Sequence, residues 1–182
     1  MNDLTLSQLI FTRICHDLSS EMGAVYNGTE LLKDDPTFVE EATDLIHNSA
    51  KDLTARTRFF RQTFGIPKDT DDTTKEYLKT FSFPFELKGV CTDNLQRSLI
   101  MTLTDYFCKG AIFEIRDNKI LASGQALKDS SKLNDLLQAG EGEQTAANAP
   151  AFFAYHLSCQ LQKNIKIASK ELQNGFCVEI NL

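Results

Sequence analysis

The sequence contains no run of lysine or arginine, and its 19 basic residues are outnumbered by 25 acidic ones, for a formal net charge of -6. A charge-driven grip on nucleic acid or on an anionic membrane is therefore not expected. No apolar stretch approaches the ~20 residues that span a bilayer, and the N-terminus lacks the basic and apolar regions of a signal peptide. The expected location is the cytoplasm. The five cysteines, Cys15, Cys91, Cys108, Cys159 and Cys177, are odd in number, scattered and free of CxxC spacing. That pattern argues against a disulfide framework and against a zinc site, and implies reduced, mostly buried thiols. Only four prolines occur, and the first is Pro36. What is present is a chain of 182 residues, 42% of them hydrophobic, enough to bury a core in one large domain or two small ones.

With no proline before position 36, one helix is predicted from Thr5 to about Lys33. Thr5-Leu6-Ser7-Gln8 matches a capping box, and Leu4 and Leu9 stand where a hydrophobic staple would pack. Gly23 and Gly28 weaken the second half of this helix. A second helix is predicted to start with Asp35 as N-cap and Pro36 at the first helical position, and to stop at Gly65-Ile66-Pro67. Both show a sevenfold apolar row: Phe11, Leu18, Val25 and Leu32 in the first, and Val39, Ile46, Leu53 and Phe60 in the second, with Phe38, Leu45 and Phe59 beside it. The pattern is that of a helical hairpin. A hairpin leaves apolar flanks uncovered, so a homodimer with a four-helix bundle is expected.

The polar, acidic residues 68–74 are the expected linker. Beyond them, residues 80–87 alternate like an edge strand containing Pro84. A helix is predicted over 93–107, and strands over 111–116 and 119–122 that turn at Asp117-Asn118. A polar helix at about 126–138, a loop around Gly140 and Gly142 and a helix at about 151–163 come next. Strands at 165–170 and 175–181, turning at Gln173-Asn174-Gly175, close the chain. The fold class is α+β, with an N-terminal domain over 1–67 and a C-terminal domain of helices on a mainly antiparallel sheet over 68–182.

The stretch Arg13-Ile14-Cys15-His16-Asp17-Leu18-Ser19-Ser20 carries the candidate chemistry. Relative to Phe11 and Leu18, His16 falls ~140–160° from the apolar row, so it faces away from its own core. An ordinary surface histidine is one reading of that position. The other is a reactive ring: Arg13 and Ser20 share its face and are placed to hydrogen-bond an anion on it, and Asp17 is placed to orient the imidazole and leave one nitrogen free to attack. Cys15 diverges from His16 by ~100° and is expected at the edge of the core rather than as its partner. His47 and His156 have no companions at metal-ligand spacing and are expected at the surface or as helix caps.

The run CHDLSSEMGAVYNGTELL, followed by a helix ending RFFRQTFG, resembles the ChpT-type histidine phosphotransferases of alphaproteobacteria. The order of the later helices and the final Asn-Gly hairpin agree with that family. The resemblance implies a dimer shaped like a sensor histidine kinase core, whose second domain is an α/β sandwich like a degenerate kinase ATPase domain that has lost ATP binding. It places His16 at the phosphorylated position and Asp17 at the acid that follows it, and matches Ser20, Gly23 and Asn27 to neighbouring family positions. It implies a phosphoryl relay between the receiver domain of a hybrid histidine kinase and response regulators, with no cofactor of its own and Mg²⁺ supplied by the partner receiver. Around His16 the docking surface is expected to use Arg13, Ser20 and apolar groups beside Ile14, with Ser19 and Glu21 tuning specificity. Family members often carry proline where this chain has Glu21, which changes any kink below the histidine and puts an acid on the docking face. The chain contains no tryptophan, and its second domain diverges from the family.

An autokinase is the weaker expectation. Residues 99–106 contain no asparagine to hold Mg²⁺, Asp105 there reads as an exposed helix carboxylate, and Gly140-Glu141-Gly142 is flanked by carboxylates that would repel a triphosphate. The second domain is then expected to steady the bundle or touch the docked receiver, with Phe152, Phe153 and Tyr155 in the core. A non-catalytic dimeric scaffold that binds receivers is the alternative.

Overall fold

The late first proline is matched by an unbroken first helix, α1, spanning Asp3–Asp34. A computed structural model of the chain describes residues 1–34, 36–66 and 71–182. The helix begins before the predicted capping box, because the Asn2 side chain accepts the Thr5 N–H at 2.8 Å and so caps the first turn. Leu4 lies inside the helix and is 69% exposed, so it forms no staple. The proposed N-cap Asp35, the stop residue Pro67 and linker residues 68–70 lie outside the described residues. Pro36–Phe38 form a 3₁₀ turn, and helix α2 follows over Val39–Phe64.

The two helices run antiparallel, with Gly28 against Ala42 and Ile46 and Glu21 facing Arg56. Small residues make this contact close: a Cβ on Gly28 would meet Ile46 Cγ1 at 2.6 Å, and Ala42 and Ser49 are buried opposite. The sevenfold rows are consequently only partly used inside one chain. Leu18, Val25, Leu32, Ile46 and Leu53 are half-buried, while Phe11 and Val39 stay exposed.

Residues 71–74 are tacked down. The Gln62 side chain donates to the Asp71 carbonyl and accepts from the Thr73 N–H and hydroxyl, and Asp72 accepts the Cys91 N–H at 2.9 Å. A short helix, α3 (Thr74–Leu78), follows, in a stretch for which the sequence pattern predicted no element. Strand β1 is limited to Phe85–Lys88 rather than 80–87, since Pro84 has no N–H to give to a ladder. It is an edge strand, as its proline implied.

Strands β2 (Ala111–Arg116), β3 (Lys119–Gly124), β4 (Lys166–Leu172) and β5 (Gly175–Asn181) complete a five-stranded sheet in the order β1-β2-β3-β5-β4. Among the described residues only β1 and β2 pair in parallel. Helix α4 (Asn94–Tyr106) starts at Asp93, whose side chain accepts the Gln96 N–H. Helix α5 (Ser130–Asn134) starts at Asp129 and continues into a π turn over Asp135–Ala139; helix α6 spans Ala149–Gln160. Gly140 takes φ 65°, and the Tyr155 ring lies 2.4 Å from where its Cβ would be, so a side chain fits there in neither backbone nor space.

Helix α4 is buried almost all round. It contacts α2 and α6, and its hydroxyls are satisfied by its own helix: Ser98, Thr102 and Thr104 donate to the carbonyls of Leu95, Ser98 and Met101. One apolar cluster joins Leu6, Phe59 and Phe60 of the hairpin to α3, α4, α6 and the sheet. Of the cysteines only Cys91 is buried; Cys15 and Cys159 are exposed and Cys108 and Cys177 intermediate, contrary to the expectation of mostly buried thiols and of Cys15 at the edge of the core. No helix among the described residues is long and apolar enough to cross a membrane.

Tyr77 is fully buried and stacks on Phe59 at 3.8 Å between ring centroids, yet its hydroxyl has no hydrogen-bond partner among the described residues. Burial pushes its phenol well above the ordinary range, so it stays neutral. A buried, unbonded hydroxyl costs roughly 1–3 kcal/mol. Tyr77→Phe is therefore expected to raise stability by about 1 kcal/mol in urea unfolding. A lower midpoint for the variant would mean that the hydroxyl is bonded in solution.

Candidate functional site

Helix α1 divides its surface among different neighbours. Leu6 and Arg13, seven residues apart, and Asp17, one turn further on, turn towards the α+β part of the chain, whereas Leu4, Phe11, Met22 and Tyr26 form an exposed apolar stripe. His16 lies between these faces, ~100° from Asp17. Its side chain is 83% exposed, as its position relative to the apolar row predicted.

Beneath the ring is a chain of charged groups. Asp17 Oδ1 lies 3.2 Å from His16 Nδ1, and Asp17 Oδ2 accepts from Arg13 Nε at 2.7 Å. Arg13 Nη1 and Nη2 each donate at 2.9 Å to one oxygen of Asp105, on α4, and Nη1 also approaches the Ala147 carbonyl at 3.4 Å. The Arg13 and Asp17 side chains are only 11% and 10% exposed. Although burial opposes the charge, the two carboxylates raise the Arg13 pKa, so the guanidinium is permanently charged. Burial holds the Asp105 carboxyl above the ordinary carboxylate range, against the opposing pull of its hydrogen bonds and charge contact with Arg13. A carboxylate facing the ring can only accept a hydrogen bond, so the neutral imidazole that satisfies Asp17 carries its hydrogen on Nδ1. The outward nitrogen, Nε2, then holds a free lone pair.

The other predicted site residues are arranged as follows. Arg13 is drawn inward to Asp17 and Asp105, so its guanidinium is not offered to an anion on the ring. Ser20 is exposed beyond His16. Ser19 is exposed too, and its hydroxyl donates to the Cys15 carbonyl at 2.6 Å. Glu21, expected on a docking face, turns to α2, where Arg56 Nη2 approaches it at 3.6 Å with both side chains largely covered. Arg56 in turn donates to the Thr80 carbonyl and lies over the Phe81 ring. Helix α1 continues through Glu21 without a break. Ile14 is half-buried against the core. Phe152 is buried and Phe153 packs on Phe64 at 5.1 Å, both in core roles as expected; Tyr155 is half-buried over Gly140.

Asp105 is the residue that the sequence pattern misassigned. Far from being an exposed helix carboxylate, it is a half-buried partner of Arg13. One signal was available: it is the lone carboxylate in the otherwise uncharged run Ser98–Cys108, and a charge among buried neighbours needs a counter-charge.

An antiparallel helical hairpin with a solvent-facing histidine backed by a covered aspartate, clamped to an α+β region through buried charges, defines the class of architecture. No family model matches the chain. It is similar to the protein phosphotransferase ChpT of Brucella abortus (strain 2308), with 43% identity over 65 residues, which is 36% of this chain and 31% of that protein. The match thus spans about a third of the relative's length. In fold, the chain is similar to a solved bacterial phosphotransferase over 100% of this chain and 98% of that one, with a TM-score of 0.80 and 21% identity. The histidine kinase domain of the Erythrobacter litoralis EL346 blue-light activated histidine kinase aligns with a TM-score of only 0.36 at 10% identity, over 92% of this chain and 93% of that one.

Proposed function

We propose that this chain is a histidine phosphotransferase that relays a phosphoryl group through His16 between receiver-domain aspartates of a two-component phosphorelay. The observation that carries the proposal is the His16 ring itself, exposed to solvent with Nδ1 tied to Asp17 and Nε2 left free. Both the partial sequence similarity and the full-length fold similarity are to phosphotransferases, which supports the same reading. Nε2 attacks the phosphorus of an aspartyl phosphate in line; the N–P bond forms, the P–O bond breaks and the receiver carboxylate leaves. The hydrogen on Nδ1 stays in place, and the positive charge of the ring rests beside Asp17. Attack by the aspartate of a second receiver reverses these steps. Positioning and charge stabilisation carry such transfers, so a rigid exposed imidazole on a docking surface is sufficient.

The receiver of a hybrid histidine kinase is the donor and response regulators are the acceptors, each bringing the Mg²⁺ of its own aspartate site, so this chain works without a cofactor or ATP. Ser19 and Ser20, exposed beside His16, belong to the docking face; Arg13 and Glu21 act from beneath it. The molecule works in the cytoplasm as a homodimer. The stripe of Leu4, Phe11, Met22 and Tyr26 on α1 supports dimerisation, because it is apolar, exposed and on a different face of the helix from His16.

Incubating the purified protein with a labelled phosphorylated receiver, beside His16→Gln and beside labelled ATP alone, tests this reading. Acid-labile label is expected on the wild type only, and only from the receiver. Label from ATP would make the protein an autokinase. Failure with a panel of receivers that do phosphorylate other phosphotransferases would leave a receiver-binding scaffold.

A further inference from the structure

The second domain is joined to His16 by an unbroken line of polar contacts. Starting from α4, both oxygens of Asp105 hold the two terminal nitrogens of Arg13 at 2.9 Å, Arg13 Nε reaches Asp17 at 2.7 Å, and Asp17 meets His16 Nδ1 at 3.2 Å. We infer that Asp105 is a positioning residue for His16: through Arg13 and Asp17 it holds the ring with Nδ1 protonated and Nε2 free, so that the second domain serves phosphoryl transfer directly. This rests on the phosphotransferase reading for its function, but not for its geometry.

The chemistry of each group makes the chain directional. A guanidinium only donates and a carboxylate only accepts, so the single place in the line where a proton position is open is the imidazole. Asp105 decides which face of Arg13 meets Asp17. Asp105 takes one N–H from each terminal nitrogen and so fixes the plane of the guanidinium; in that pose the nitrogen that reaches Asp17 is Nε, which takes Oδ2 and leaves Oδ1 to the ring. Released from Asp105, the same guanidinium is free to fork onto Asp17 with two parallel N–H groups, the geometry that arginine and carboxylate prefer. Both Asp17 oxygens would then be occupied, and the ring would lose its acceptor. The Ala147 carbonyl, at 3.4 Å from Nη1, lies on the Asp105 side and reinforces the orientation. The near-complete burial of Arg13 keeps water from substituting for Asp105. A salt bridge serving only to hold the domains together would need neither Nε on Asp17 nor an oxygen of Asp17 reserved for the ring.

The test reads the ring as well as the reaction. In ¹⁵N-labelled, unphosphorylated protein, at a pH where its spectrum shows the His16 ring neutral, long-range ¹H–¹⁵N correlation spectra report which His16 nitrogen carries the hydrogen. The wild type is expected in the Nδ1–H form. Asp105→Asn, with the fold verified by circular dichroism, is expected to shift the ring towards the Nε2–H form and to slow transfer from a phosphorylated receiver by about tenfold per folded molecule. Asp105→Glu, which keeps the charge and both acceptor oxygens, is expected to recover the wild-type tautomer in part. Should Asp105→Asn fold poorly, Arg13→Lys provides the same comparison, since one ammonium cannot span both carboxylates. A folded variant with an unchanged tautomer would overturn the proposal, even if its melting temperature fell. If the wild type takes no phosphoryl group from any receiver, the functional reading fails, whereas the tautomer comparison still judges the positioning role.

Discussion

Asp17→Asn is expected to slow phosphoryl transfer by a hundredfold or more, and by more than Asp17→Ala does. The reason is the company that residue 17 keeps. Arg13 Nε donates to it at 2.7 Å and has nothing to accept with, so an asparagine must turn its carbonyl oxygen to Arg13. Its NH₂ group then faces His16 Nδ1, which is forced to become an acceptor. The hydrogen moves to Nε2, the nitrogen that must attack. An equivalent exchange in the serine-protease triad, which inverts the histidine tautomer without moving it, costs ~10⁴ in rate. The looser contact here, 3.2 Å long and to an exposed ring, sets a smaller expectation of about 10². Alanine at the same position lets both tautomers form, so it keeps more activity. Time courses of labelling from one phosphorylated receiver, normalised to folded protein, decide the order. Equal rates for the asparagine variant and the wild type would mean that Asp17 does not set the ring's proton.

The second large effect concerns stability. Phe59→Ala is expected to cost about 3–5 kcal/mol while unfolding remains a single transition. Phe59 is fully buried and sits in a ladder of rings that crosses from the hairpin to the sheet. Phe60 meets Phe59 at 6.1 Å, Phe59 meets Tyr77 at 3.8 Å, and Tyr77 meets Phe81 at 5.1 Å; from there Phe85 at 5.3 Å and Phe113 at 5.7 Å continue it. Removing the second ring deletes its own burial, leaves a cavity and unstacks Tyr77, whose hydroxyl gains nothing in return. Because hairpin and sheet share one apolar cluster, they are expected to melt together. Urea unfolding followed by far-ultraviolet and near-ultraviolet circular dichroism measures both quantities. A loss below about 1 kcal/mol, or a hairpin signal that melts separately, would show that the ladder does not couple the two parts.

The two effects act on different levels of one device. The ladder and the Arg13–Asp105 fork are the apolar and polar halves of the joint between α1, α2 and the second domain. The first determines whether the joint exists, and the second determines what the joint does to the ring. Removing the first loses the fold, whereas weakening the second leaves a folded protein with a misdirected histidine.

The sequence by itself determined the elements and the exposure of the histidine, because those depend on neighbours within a turn or two of chain. Proline-free stretches and periodic apolar residues specify α1, Asp93 caps α4, and Asp117-Asn118 and Gln173-Asn174 turn the two hairpins. The position of His16 relative to Phe11 and Leu18 specifies its direction, since a helix has a constant angular step. Local pattern failed where one residue interrupts it or where tertiary packing overrides it: Pro84 shortened β1, and α3 is a single turn anchored by Asp72 and Gln62. Only the tertiary structure decided the polarity of the site. Arg13 lies 92 residues from Asp105 and shares the side of α1 near His16, so local geometry alone pointed it at solvent, as it pointed Glu21. Whether such a charge turns outward to water or inward to a partner depends on whether a counter-charge waits at the contact, and that contact exists only once the chain has folded.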